Sequence, residues 1–143
     1  MSQRMSEDQI RAFLMDGTRT GKLATVRPDG SPHVAPIWFV LDDDGTIVFN
    51  TGRDTVKGRA LRRDPRASMC VDDERPPFAY VRIDGTVDLS EDLDEMLPWS
   101  TRIAARYMGA ELAETYGRRN AVAGEMLVRL RPTKVVALKA ISD

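Results

Sequence analysis

The period of the apolar positions changes several times along the chain, and each change marks an element. Ile10, Phe13 and Leu14 recur at helical spacing behind Ser6-Glu7-Asp8-Gln9. That tetrad is a capping box: the Ser6 hydroxyl can accept from the Gln9 amide while the Gln9 side chain reaches back. A helix over about residues 7–16 follows, with Gly17 as its stop. From Lys22 to Arg27 polarity alternates with period two, and Pro28-Asp29-Gly30-Ser31 supplies turn chemistry. His33 to Leu41 is apolar and rich in strand formers, with Pro36 in its middle marking an edge, a bulge or an interruption. Asp42-Asp43-Asp44-Gly45 then turns the chain into a third strand, Thr46 to Asn50, completing an antiparallel meander.

Helical spacing returns at Val56, Ala60 and Leu61, and Pro65 predicts a stop near Arg63. Ala67 to Val71 reads as a strand, Asp72 to Pro77 as a loop with two prolines, and Phe78 to Leu89 as a long strand bent at Asp84-Gly85. Residues 90 to about 118 read as helical. Ser90 is the expected cap, acids fill the opening turns, and Pro98 and Gly109 are expected to break the segment. Met126 to Leu130 and Val135 to Leu138 close the chain as two strands joined by an Arg131-Pro132-Thr133 turn. The strands arrive in consecutive runs, which predicts a mainly β domain with helices, an antiparallel barrel and not a doubly wound sheet. No repeat or composition shift divides the chain, so residues 1–143 are expected to form one domain.

With 143 residues, 42% hydrophobic and 30% charged, the chain has the composition of a folded domain and not of a disordered one. Twenty-one Lys and Arg against 22 Asp and Glu leave a net charge of −1, which argues against a dedicated nucleic-acid binder. Cys70 is the single cysteine, so no internal disulfide can form, as suits a reducing compartment. The N-terminus has no apolar core of signal-peptide type, and nothing approaches the roughly 18 apolar residues of a membrane span. The expectation is a cytoplasmic protein without membrane contact. One histidine and one cysteine cannot build a His/Cys metal site. His33 reads as a half-exposed strand residue and Cys70 as a small core residue. No nucleophile elbow, P-loop, zinc-protease helix or dinucleotide fingerprint is present.

Two segments carry chemistry. From Arg53 to Arg66 there are six bases (Arg53, Lys57, Arg59, Arg62, Arg63, Arg66) and two acids (Asp54, Asp64), a local balance of +4 in a neutral chain. The segment leads from a strand end into a helix, whose opening amides are unpaired and partly positive. With Thr55 and Lys57 added, this is phosphate-binding chemistry. The plainer reading has Asp54 capping the helix and the arginines coating a solvated face. In the second segment, Pro36-Ile37-Trp38-Phe39, a tryptophan beside a strand-interrupting proline can floor a pocket for a flat ring, or simply pack. Phe78 and Tyr80 can wall the same pocket or pack likewise.

Together these segments resemble the pyridoxamine 5′-phosphate oxidase-like proteins, and within them the flavin/deazaflavin oxidoreductases that use coenzyme F420. The resemblance is carried by Gly21 to Phe39, by Thr51 to Lys57 with Ala60 to Ser68, and by the Tyr80 strand ending in Asp84-Gly85-Thr86-Val87. Arg106 to Gly109, Gly124 to Leu130 and Pro132 to Val136 continue it, so it covers about residues 8 to 140. It implies a split β-barrel homodimer, the FMN-binding split-barrel fold, with a cofactor groove at the subunit interface. It implies further that Thr55 and Lys57 hold the cofactor phosphate, with the Val56 backbone between them and Arg53 nearby. Pro36, Ile37 and Trp38 would lie along the ring, Asn50 and Thr51 beneath it, and Phe78 and Tyr80 beside it. The substrate-phosphate residues of the pyridoxamine phosphate oxidases are not recognisable, so the resemblance does not carry over to that oxidation. What it implies is an F420-dependent reductase acting on a small planar unsaturated molecule. The alternatives are an FMN-binding oxidoreductase on the same groove, or a non-catalytic carrier of F420, flavin or a haem-like ligand, for which His33 is formally available.

Overall fold

A computed structural model describes residues 1–143. Its elements run β1 (Gln3–Arg4), α1 (Glu7–Met15), β2 (Gly21–Val26), β3 (Pro32–Ile37), β4 (Val40–Leu41), β5 (Ile47–Gly52) and α2 (Val56–Arg63). They continue with β6 (Arg66–Asp73), β7 (Ala79–Ser90), α3 (Leu93–Met108), α4 (Ala113–Asn120) and β8 (Glu125–Lys139). A short 3₁₀ turn, Ala110–Leu112, separates the last two helices. None of the helices is long and apolar enough to cross a membrane.

All strands belong to one antiparallel sheet in the order β3-β2-β6-β7-β8-β5-β4, with β1 added to β8. The outermost strands of that order, β3 and β4, are joined by only Trp38 and Phe39. The sheet must therefore curl until its two edges nearly meet, while no ladder joins them. The result is a barrel split along β3 and β4, and Trp38 sits at the split.

Alternation decides what fills it. Leu23, Met69, Val71, Val81, Ile83, Phe49, Val128 and Leu130 point inward to the main core, which α1 closes with Leu14 and α2 with Leu61. The opposite faces of β5 and β8 are also covered, because Val48 and Leu127 pack with Val40 against Met96 and Ile103 of α3. This double burial explains why Ile47, Val48 and Phe49 are all fully buried and run without alternation. Elsewhere the outer face stays open. Val34, Ala24 and Ser68 lie side by side across β3, β2 and β6, and Val34 is 66% exposed.

Local chemistry sets most boundaries as expected. The Ser6–Gln9 capping box forms in both directions, at 2.9 and 3.2 Å. The bulge lies between Asp84 and Gly85. Five expectations fail. The three-strand meander is split, because β3 and β4 lie at opposite edges of the sheet and β5 pairs with β8. Residues 125–139 form one continuous strand and not two, because Pro132 faces Gly85 across the bulge, where Thr133 is the extra residue and no ladder bond is asked of the proline. Pro98 does not break α3, since a proline six residues into a helix removes one bond near its start and the amphipathic face holds the rest. Asp92, not Ser90, caps that helix; the Ser90 hydroxyl instead accepts from the Asp92 amide and donates to Glu95. Cys70 lies half-buried on the outer face of β6, out of phase with the core residues Met69 and Val71.

Candidate functional site

The turn between β5 and α2 is built around two glycines. Thr55, and not Asp54, caps α2: its hydroxyl accepts from the Gly58 amide at 3.1 Å and donates to the Gly52 carbonyl at 2.7 Å. Asp54 faces Arg62 at 3.7 Å in solvent. A Cβ on Gly58 would stand 2.0 Å from the Gly52 carbonyl oxygen and 2.9 Å from that of Arg53, so the helix start can lie this close to the turn only without a side chain there. The amides of Val56 and Lys57 make no hydrogen bond within the chain. Two free donors and an ammonium group therefore open the helix together, which is an anion-binding arrangement.

Lys57 also lines a crevice of about 300 Å³, together with Pro36, Ile37, Trp38, Asn50, Ile103, Asn120 and Glu125. Asn50 accepts from the buried Ser100 hydroxyl through Oδ1 at 2.8 Å, while its Nδ2 is buried without a partner. Asn50 thus lines the crevice beside a lysine with no partner, while its own orphan donor lies beneath the surface.

Trp38 is 40% exposed, and its position is fixed from behind. Its ring stacks on Tyr107 at 5.0 Å with the planes 3° apart. The Tyr107 hydroxyl donates to the Arg19 carbonyl at 2.6 Å and accepts from the Phe39 amide at 3.2 Å. Burial holds its phenol above the usual range. Arg106 completes the support by donating to the carbonyls of Phe39 at 2.6 Å, Leu14 at 2.7 Å and Gly17 at 3.0 Å. Its guanidinium lies over the Phe39 and Tyr107 rings at 4.7 and 4.9 Å. One face of Trp38 is thereby spent on packing, and the indole stands at the wall of the crevice.

Five of the predicted residues, Pro36, Ile37, Trp38, Asn50 and Lys57, line this one crevice. Thr55 and Val56 stand beside it at the helix start. Thr51 is buried, with its hydroxyl 3.4 Å from that of Thr55, so it braces the turn from within the barrel. Three others lie off the crevice. Arg53 turns away and donates to both Glu91 oxygens at 2.9 and 3.0 Å. Phe78 and Tyr80 do not line it. Phe78, 39% exposed, has φ 62° and is tied to the C-terminal segment by the Ile141 amide at 3.2 Å. Left-handed backbone at a bulky residue costs about 1–3 kcal/mol. The sequence reading missed Ile103, Asn120 and Glu125, which arrive from elements more than 40 residues further along the chain than Lys57. It missed Gly58 too, although a glycine inside a short helix is itself a signal of close approach.

The family described as Pyridoxamine 5′-phosphate oxidase matches residues 6–139, and the chain belongs to that family. Among curated proteins, it is 38% identical over 56 residues to the 5a,11a-dehydrotetracycline/5a,11a-dehydrooxytetracycline reductase of Streptomyces rimosus, a match spanning 37% of this chain and 39% of the relative. Matches to the pyridoxine/pyridoxamine 5′-phosphate oxidases of Rhizobium span 42% of those proteins, so the chain covers about two fifths of the curated relatives it matches. Among solved structures, a conserved hypothetical protein of Mycobacterium tuberculosis superposes with TM-score 0.84 at 27% identity, over 96% of this chain and 87% of the other. A protein described as an F420 reductase superposes with TM-score 0.71 at 29% identity, over 87% of this chain and 94% of the other.

Proposed function

We propose that the protein is an oxidoreductase of the reductase type. In this reading it holds a phosphate-bearing redox heterocycle, coenzyme F420, with the phosphate at the start of α2 and the ring along Pro36–Trp38. One observation carries the reading: Lys57, at the start of a helix whose Val56 and Lys57 amides are free, lines one crevice with Asn50 and Trp38. The residues fit such a group. Gly58 lets the helix start close on the turn, where a Cβ would strike the Gly52 and Arg53 carbonyls, and the free amides there are of the kind a phosphate accepts. A volume of about 300 Å³ suits part of a cofactor, with the remainder in solvent or against a partner. The F420 reductase and the tetracycline-type reductase among the relatives favour a reductase on this scaffold.

When bound, the heterocycle supplies the hydride chemistry. The chain's own residues bind and orient. Lys57 and the two amides would hold the anion, Asn50 would line the crevice beneath the ring, and Trp38, backed by Tyr107, would limit its tilt. Ile37 and Ile103 keep water from the covered side. The substrate class is a small planar molecule with an electron-poor double bond. A second copy of the chain completes the groove, supported by the open apolar strip of Val34, Ala24 and Val26 on the outer sheet face. Phe78, held exposed in an unfavourable conformation, and Tyr80 would reach the ring from that copy.

Titration of the purified protein with F420 and with FMN tests the reading. F420 is expected to bind more tightly, and Lys57→Ala to weaken binding about 10- to 100-fold, the worth of a charge-assisted hydrogen bond of about 1.5–3 kcal/mol. Unchanged affinity in Lys57→Ala removes the phosphate assignment. Tighter FMN binding and a yellow preparation make the protein an FMN enzyme. Binding with no reduction across a broad acceptor panel makes it a carrier.

A further inference from the structure

Of the eight residues lining the crevice, only Lys57 and Glu125 can carry charge. Neither side chain makes a hydrogen bond or ion pair with any other group of the chain, although 10 ion pairs form elsewhere, from Arg19–Asp16 to Arg131–Asp88. Glu125 opens β8 directly opposite Gly52, the residue that starts the anion-binding turn. Its Oε2 would lie 3.3 Å from a Cβ built on Gly52, and the Arg53 amide donates to the Gly124 carbonyl at 2.8 Å, so β8 and the turn move as one. A carboxylate with no partner therefore lies at the foot of a site built to receive an anion.

We infer that Glu125 is a proton-linked gate on this site: an anion bound at Lys57 neutralises the one positive charge in the crevice that favours the Glu125 carboxylate, and the crevice takes up one proton on the Glu125 carboxyl as it binds. The inference rests on the phosphate reading above and adds its regulation. Without ligand, burial pushes the Glu125 carboxyl upward and Lys57 alone opposes it. Arrival of an anion removes that opposition and adds a negative charge, and both changes favour the protonated form. The other charges on the surrounding elements are engaged elsewhere or stand in solvent. Arg53 is held by Glu91, Asp54 by Arg62, and Arg119 by the Tyr116 ring. Arg59 on α2 and Arg118 on α4 are exposed, while α3 contributes only Ile103 to the crevice, and β3 with the link after it only Pro36 to Trp38. The proton comes from solvent, and Glu125 returns it when the anion leaves.

The test is calorimetric titration of the 143-residue protein with F420, FMN and sulfate, in paired buffers of different ionisation enthalpy, across the range from mildly acid to mildly alkaline. Sulfate does not titrate there, so it isolates the site's own proton. Wild type is expected to take up close to one proton more per ligand than Glu125→Gln. Its affinity should fall by up to about tenfold per pH unit where Glu125 titrates, while Glu125→Gln stays flat and binds more tightly at the alkaline end. Equal uptake in the two proteins, or weaker binding by Glu125→Gln at every pH, overturns the inference. Lys57→Met separates the failures. If it abolishes binding while Glu125→Gln matches wild type, the gate alone is wrong. If Lys57→Met binds normally, or if none of the three ligands binds wild type, the phosphate reading falls and the gate with it.

Discussion

Replacing Gly58 by alanine sets two effects of opposite sign against each other. In an ordinary helix the change stabilises by about 1 kcal/mol, because alanine has the better helix propensity and the unfolded chain loses freedom. At this position the new Cβ would stand 2.0 Å from the Gly52 carbonyl oxygen and 2.9 Å from that of Arg53. Both obstacles are backbone, so no rotamer change relieves them, and the first turn of α2 must move by about an ångström to restore ordinary contact. Overpacking of this kind costs about 1–3 kcal/mol. The shift also breaks the Thr55 cap, worth about 1 kcal/mol. The net is a destabilisation of about 1–3 kcal/mol, opposite in sign to the propensity effect. The second consequence is larger in kind: the amides of Val56 and Lys57 leave the place where they would meet an anion, and a displacement of that size lowers affinity at least about tenfold. Urea unfolding gives the first number and cofactor titration the second. A Gly58→Ala protein as stable as wild type, with unchanged affinity, would falsify the description of this turn.

Arg106→Met keeps the aliphatic stem but removes the donors to Leu14, Gly17 and Phe39. With the carbonyls of Leu14 and Phe39 left in partly buried surroundings, urea unfolding should show a loss of about 2–4 kcal/mol, and a loss below about 1 kcal/mol would mean that water replaces the guanidinium freely. Tyr107→Phe keeps the stack on Trp38 and deletes two hydrogen bonds, for about 1–2 kcal/mol. It also tests the buried phenol. Because burial raises its pKa in the fold, the folded chain holds that proton more tightly than the unfolded one. Tyr107 therefore contributes its full stability below the ordinary tyrosine value of about 10 and loses it above. Melting temperatures of wild type and Tyr107→Phe should converge as pH rises beyond about 10, and curves that stay parallel would sink the assignment.

What could be read from the sequence was what depends on neighbours along the chain. The Ser6–Gln9 box, the alternation of β2, the stop before Pro65 and the bulge at Asp84-Gly85 are decided within a few residues, and they stand as expected. Failures came where a distant element changes the meaning of a local signal. Arg131-Pro132-Thr133 has the composition of a turn, but opposite Asp84-Gly85 of β7 the strand β8 bulges to take Thr133 as an extra residue and continues. Ser90 and Asp92 are both competent caps, and the choice between them follows from where β7 stops pairing with β8, at Ser90 opposite Leu127.

The same division runs through the site. The turn is a contiguous run, Gly52 to Gly58, and a charge imbalance after a strand marks it in the sequence, although of the six bases only Lys57 lines the crevice. The rest of the crevice is assembled across the fold. Trp38 owes its fixed orientation to Tyr107 and Arg106, which lie about 70 residues further along the chain and carry no motif that would announce them. Three carbonyls converge on one guanidinium only because α1, the β3–β4 link and the end of α3 meet there. Asn50 is left with an orphan donor only because Ser100 of α3 occupies its oxygen.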